Sequence, residues 1–184
     1  MRVITGAARG RRLKELEGYE TRPTTDRVKE GIFNIIQFDI EGRKALDLFA
    51  GTGQLGIEAL SRGAASAVFV EQRRDAAALV KENLKVTGLA ENAKVVCGEA
   101  GAFLASTREK FDLIFIDPPY AANLWKNTLN SIYQFDILSN HGIIVCESPV
   151  DQEMPPMEAP YFLHRSYRYG KIKITTYHRE DNAE

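Results

Sequence analysis

Five short apolar runs recur along the chain, each separated from the next by room for one helix. This rhythm restricts the possible folds more than any other feature. The runs are ALDLFA (45–50), AVFVE (67–71), AKVVC (93–97), FDLIFID (111–117) and GIIVCE (142–147). Each is apolar on both faces, as strands are when helices cover both sides of a parallel sheet. The intervals 55–62, 74–86, 99–108 and 123–138 carry helix formers with apolar spacings of three and four, as in Ala76, Leu79, Val80 and Leu84. The alternation predicts a doubly wound α/β domain. FLHRSYRYGKIKITTYHR alternates β-branched and aromatic residues around Gly170 and predicts a closing hairpin.

Residues 1–43 follow a different pattern. RVITG and RRLKELE predict a small hairpin around residues 6–10. PTTDRVKEGIFNIIQ (23–37) predicts a helix capped by Thr24 or Thr25, with Asp26 in its first turn. The chain thus divides into an N-terminal extension (1–43), the α/β domain (44–179) and a frayed acidic tail (180–184).

The bulk numbers narrow the class of protein. With 184 residues, 44% hydrophobic and 27% charged, the chain suits one soluble domain with a modest extension. No apolar run approaches the roughly 18 residues needed to span a bilayer, and MRVITGAARG lacks the apolar stretch of a signal peptide. A cytoplasmic protein is expected. Cys97 and Cys146 sit in apolar runs and read as reduced core thiols. His141, His164 and His178 are scattered without metal-ligand spacing, so no metal site is expected. The net charge of −1 conceals two basic segments. Residues 1–14 hold Arg2, Arg9, Arg11, Arg12 and Lys14 without an acid, and 159–179 hold Arg165, Arg168, Lys171, Lys173 and Arg179 among five aromatics. Such ends around a neutral-to-acidic middle point to local phosphate contacts, with a solvated charged face as the alternative.

After the first run comes DLFAGTGQLG, in which Gly51, Gly53 and Gly56 satisfy G-x-G-x-x-G, while Glu71 ends the next run. The pattern fits a dinucleotide or S-adenosylmethionine (SAM), since both need close backbone approach and an acid for ribose hydroxyls. Asp47 favours SAM. A carboxylate just before the loop repels a pyrophosphate but attracts the ammonium of SAM's methionine part, whose carboxylate can use N–H groups of the following helix. A tight turn without ligand is the third reading. Glu99, with Ala100 beside it, falls at the tip of the third run, where a carboxylate could accept from the adenine amine or simply start a helix.

The fourth run ends in FIDPPYA. Two prolines terminate strands readily, and a stopped strand beside a solvated aspartate is the plain interpretation. With SAM in the first crevice, however, the corner falls next to the switch point where substrates bind. Methylating an exocyclic base amine requires holding a delocalised nitrogen in line with the methyl group. Asp117 and the Pro118 carbonyl would each accept one N–H, Pro119 adds no competing donor, and Tyr120 offers a stacking face.

DLFAGTGQLGIEALSRGA, FVE, FDLIFIDPPY, GRRL and TRPTTDRVKEGIFN together resemble the bacterial 16S rRNA guanine-N2 methyltransferases of the RsmD type over nearly the whole chain. The resemblance implies a seven-stranded, mostly parallel, Rossmann-like methyltransferase sheet and SAM-dependent transfer to N2 of a guanine in 16S rRNA. The substrate it implies is a partly assembled small subunit, and the enzyme is expected to be a monomer. Cofactor positions carry over to Asp47, Phe49, Gly51, Thr52, Gly53 and Glu71, and the catalytic corner to Asp117, Pro118, Pro119 and Tyr120. The N-terminal segment is expected over the SAM crevice, with Arg11, Arg12, Arg22, Thr24, Asp26 and Arg27 toward RNA. A capped, salt-bridged helix start is the rival reading of 22–27. Lys29 stands where the family usually has Arg, Glu99 where it usually has Asp, and Lys171 where an acid or Asn is common. DPPY is shared with DNA adenine-N6 and cytosine-N4 methyltransferases, which remain an alternative, as does a SAM-binding rRNA assembly factor without catalysis.

Overall fold

The computed structural model describes residues 1–16, 24–119 and 123–180. Arg22, Pro23, Tyr120 and the last four residues of the expected tail lie outside them. The elements are α1 (Asp26–Ile35), β1 (Lys44–Asp47), α2 (Gln54–Ser61), β2 (Ser66–Glu71), α3 (Arg74–Thr87), β3 (Ala93–Cys97) and α4 (Ala100–Ser106). They continue with β4 (Phe111–Ile116), α5 (Leu124–Gln134), β5 (Leu138–Pro149), β6 (Tyr161–Tyr169) and β7 (Ile172–Arg179). The strands form one seven-stranded sheet in the order β3-β2-β1-β4-β5-β7-β6. β1 to β5 are mutually parallel, and β7 runs antiparallel between β5 and β6. The strand order reverses between β1 and β4, which makes their carboxyl ends the switch point.

The two-faced strands separate two cores. Ala45, Leu113, Phe115 and Val145 face α1, α2 and α3, where Phe33, Ile57 and Val80 pack on them. Leu46, Ile114, Ile116 and Ile144 face α4 and α5, with Leu104, Trp125 and Leu129. Adjacent residues of one strand serve opposite cores, so strict apolar runs, not alternating ones, write these strands. Gly56 shows how close a helix comes: a Cβ there would lie 2.3 Å from the Phe69 ring.

Thr25 caps α1, its hydroxyl accepting from Val28 N–H at 3.3 Å, with Asp26 in the first turn. The first residues form a small loop closed by an antiparallel bridge between Arg2 and Arg12. Glu58 of α2, wholly buried, fastens this loop. It accepts from the N–H groups of Ile4 and Thr5 at 2.9 and 3.0 Å and pairs with Lys29 at 3.6 Å and Arg62 at 2.9 Å. Asn83 of α3 fastens the other end, accepting from Lys14 N–H and donating to the carbonyls of Lys14 and Thr52.

Several expectations are corrected. β1 ends at Asp47, not residue 50, because the chain leaves the sheet to enter the glycine loop. α5 stops at Gln134 because Asp136 takes φ 50°, and β5 begins at Leu138 rather than residue 142. Cys146 is a core thiol but Cys97 is exposed, since β3 is an edge strand with a partly open face. Among the described residues no helix is long and apolar enough to cross a membrane.

Candidate active site

The loop between β1 and α2 turns through Gly51 (φ 55°) and Gly53 (φ 83°), left-handed conformations that a side chain would strain. Acids hold it at both flanks. Glu71, at the end of β2, accepts from Gly51 N–H at 2.9 Å and from Arg73 N–H at 2.8 Å. Both of its oxygens are thereby oriented, with lone pairs left for further donors. Asp47 is 2% exposed and accepts from Gly56 N–H in α2 at 3.0 Å. Burial pushes the Asp47 carboxyl up to about 7, with a further push from Glu71, while the Gly56 contact opposes it. The first residue of α2, Gln54, carries a buried Oε1 that makes no hydrogen bond, an acceptor that a bound donor would satisfy. The Asn83 contact to the Thr52 carbonyl and the Thr52 hydroxyl at 3.3 Å from Met1 Sδ bring the N-terminal segment onto this loop.

The switch point carries more charge than the sequence suggested. Asp47 follows Ala45 with the strand period of two, Asp117 follows Phe115, and Glu147 follows Val145. All three acids therefore leave adjacent strands on the face covered by α1. Asp117 stands one step beyond the Ile116–Cys146 pair, which makes Glu147 its lateral neighbour. The Thr24 hydroxyl, buried just ahead of α1, lies 3.0 Å from Glu147 Oε2 and 3.4 Å from Asp117 Oδ2. It orients Glu147 and makes a longer contact with Asp117. Desolvation raises the Asp117 carboxyl well above the ordinary carboxylate range, with Glu147 and then Asp47 adding repulsion and Thr24 opposing it. Asp117 nonetheless keeps part of its surface open, while Pro118 is buried and Pro119 exposed. From the opposite core, Trp125 Nε1 donates to the Glu147 carbonyl at 2.9 Å, so the end of β5 is held from both sides.

The remaining candidates distribute around this corner. Phe49 and Ala100 pack on the α4 side of the sheet. Glu99 is exposed and precedes α4, its carbonyl accepting from Phe103 N–H without a side-chain cap. Gly98 N–H donates to the Glu71 carbonyl, which brings the ends of β2 and β3 together. Arg11, Arg12 and Arg27 are exposed. Arg11 Nη1 donates to the Val86 carbonyl at 3.1 Å, and Asp26 pairs with Arg2 at 3.2 Å. Thr24 belongs to the acid corner itself.

Glu147 and Gln54 escaped the sequence reading. An acid at the end of GIIVCE looks like any strand terminator; only the lateral pairing of β4 with β5 reveals its neighbour. A cavity of about 430 Å³ lined by Asp39, Arg43, His141, Phe162 and His178 lies toward the amino half of β5, away from this chemistry. There the His164 and His178 rings stack at 4.2 Å, and burial, then His164, depresses His178. Among the described residues no cluster of three or more side chains is arranged to hold a metal.

Comparison with known proteins gives consistent relatives. A family profile described as "conserved hypothetical protein 95" matches residues 1–178. Ribosomal RNA small subunit methyltransferase D of Escherichia coli strain K12 is 38% identical over 184 residues, covering all of this chain and 92% of that protein. YlbH of Bacillus subtilis, provisionally named an rRNA methyltransferase, is 43% identical over 96% of this chain and 98% of its own. The solved structure of Escherichia coli yhhF, provisionally described as a methyltransferase, superposes with a TM-score of 0.89 at 36% identity, covering 99% of each chain.

Proposed function

The chain belongs to the RsmD family, and from that premise we propose that it uses SAM to methylate the exocyclic N2 amine of a guanine in 16S rRNA. The observation that carries this reading is the acid-lined corner at the carboxyl ends of β1, β4 and β5, with the D-P-P turn beside a glycine loop. Asp47, Phe49, Gly51, Thr52, Gly53, Glu71, Glu99 and Ala100 would hold SAM. The buried acceptors Asp47 and Gln54 Oε1 match an ammonium, and the oriented Glu71 matches ribose hydroxyls. When bound, SAM supplies an electrophilic methyl group on a sulfonium.

The chain's own residues then act on the amine. Asp117 and the Pro118 carbonyl accept its two N–H groups, which fixes the nitrogen lone pair in line with the methyl group. Tyr120 offers a face for an exposed or flipped guanine. The nitrogen becomes strongly acidic as it is alkylated, and Asp117 in its ionised form, or water, takes the released proton. Arg11, Arg12, Arg22 and Arg27 contact phosphate, with Asp26 tethering Arg2 beside them. The extension 1–43 thus serves RNA recognition and covers the SAM site, 44–179 forms the catalytic domain, and the enzyme works as a cytoplasmic monomer on a partly assembled small subunit.

Transfer of labelled methyl from SAM to naked rRNA, to assembling small subunits and to DNA, followed by nucleoside analysis, tests the reading. N2-methylguanosine in rRNA is expected. N6-methyladenine or N4-methylcytosine in DNA would replace it with the DNA enzyme, and SAM binding without any product would leave an assembly factor.

A further inference from the structure

We propose that Glu147 is a specificity-determining residue whose carboxylate accepts the N1–H of the target guanine beside the amine held at Asp117. The inference rests on the guanine-N2 reading and deepens it. The base amines open to such a site differ in the ring atom next to them on the Watson–Crick edge. Guanine N2 neighbours N1–H, a donor; adenine N6 neighbours N1 and cytosine N4 neighbours N3, both acceptors. An amine held at Asp117 therefore brings that adjacent ring atom toward a lateral neighbour of Asp117.

In this sheet such a neighbour is Glu147. The two acids leave β4 and β5 on one face, a single step beyond the paired Ile116 and Cys146. The Thr24 hydroxyl reaches both carboxylates, so they stand within two hydrogen-bond lengths of each other. Glu147 is 6% exposed and its position is held by Thr24 on the side chain and Trp125 on the carbonyl. A carboxylate has about four acceptor sites, so its contact with Thr24 is compatible with a second donor. Opposite adenine N1 or cytosine N3, the same buried carboxylate would face a lone pair, the type of mismatch that binding sites reject most strongly.

The test uses the RNA position located by nucleoside mapping, rebuilt with guanosine or with 2-aminopurine riboside. The latter keeps the 2-amine but has an acceptor at N1. Wild-type enzyme is expected to favour guanosine in kcat/KM by about a hundredfold or more. In Glu147→Gln the side-chain amide can donate to N1, and the preference should narrow to less than about tenfold, chiefly by faster methylation of the analogue. The accompanying loss of O6 is the same in both enzymes and cannot produce that narrowing. SAM affinity and melting temperature check that the isosteric variant is folded. Equal wild-type rates on the two RNAs would overturn the assignment without any variant, and an unchanged ratio in a folded Glu147→Gln protein would do so as well. If unmodified RNA gives no N2-methylguanosine, the underlying reading falls and this inference with it; if it does, a failed ratio removes only Glu147.

Discussion

Asp47 holds its proton to about pH 7 because burial disfavours its charge. Between its ordinary value of 3.8 and about 7 the folded chain therefore binds a proton that the unfolded chain has released. The folded state loses stability as pH rises through that window. Asp47→Asn should flatten the decline, as measured by urea unfolding between pH 5 and 7.5. An ammonium placed beside Asp47 reverses its preference and expels the proton on binding. SAM affinity should accordingly rise by up to about tenfold per pH unit below pH 7 and level off above it, and the Asn variant should lose that slope in calorimetric titration. Asp117→Asn is expected to slow methyl transfer by about 10²–10⁴-fold while SAM affinity stays within a few-fold of wild type. Asp117 was legible as a candidate because two prolines follow it in one local phrase. Glu147 was not, and Thr24 was legible only as a helix cap or RNA-facing residue, because their place in the acid corner depends on contacts spanning 93 and 123 residues of the chain.

The helices α1 and α2 meet through Lys29 and Glu58, two buried charges of opposite sign, with Glu58 also held by Arg62 and by the N–H groups of Ile4 and Thr5. Desolvation lowers the Lys29 ammonium, and Glu58 supports its charge. Glu58→Ala would leave Lys29 buried without that support and release Ile4 and Thr5. A loss of about 3–5 kcal/mol is expected, visible as a fall of roughly 10 °C in melting temperature. The five parallel strands were legible because each faces two helical layers and must be apolar throughout. Their ends were less so. Asp136 and His141 adopt left-handed backbone at the entrance to β5, where no glycine marks 136, so the start of that strand was misplaced. Cys97 misled for a related reason: a run of apolar letters does not say whether its strand lies at the edge of the sheet.

At the scale of the whole molecule, Arg11, Arg12 and Arg27, three of the arginines proposed for RNA, lie on exposed surface of the N-terminal segment and α1. Replacing Arg11, Arg12 and Arg27 together with alanine should weaken RNA binding and reduce the slope of log affinity against log salt by about one per lost phosphate contact. Filter binding between 50 and 200 mM salt would register that change, and a parallel slope would leave these residues as scaffold. The Thr24 contacts also bear on how the protein is made. The Thr24 hydroxyl that joins the acid corner is synthesised 123 residues ahead of its partner Glu147. Loop-like contacts of such span form late, after the local βα units have closed. The first four parallel strands can thus stand before the acid corner exists, and the corner proposed for substrate is completed only as the last parallel strand, β5, joins them.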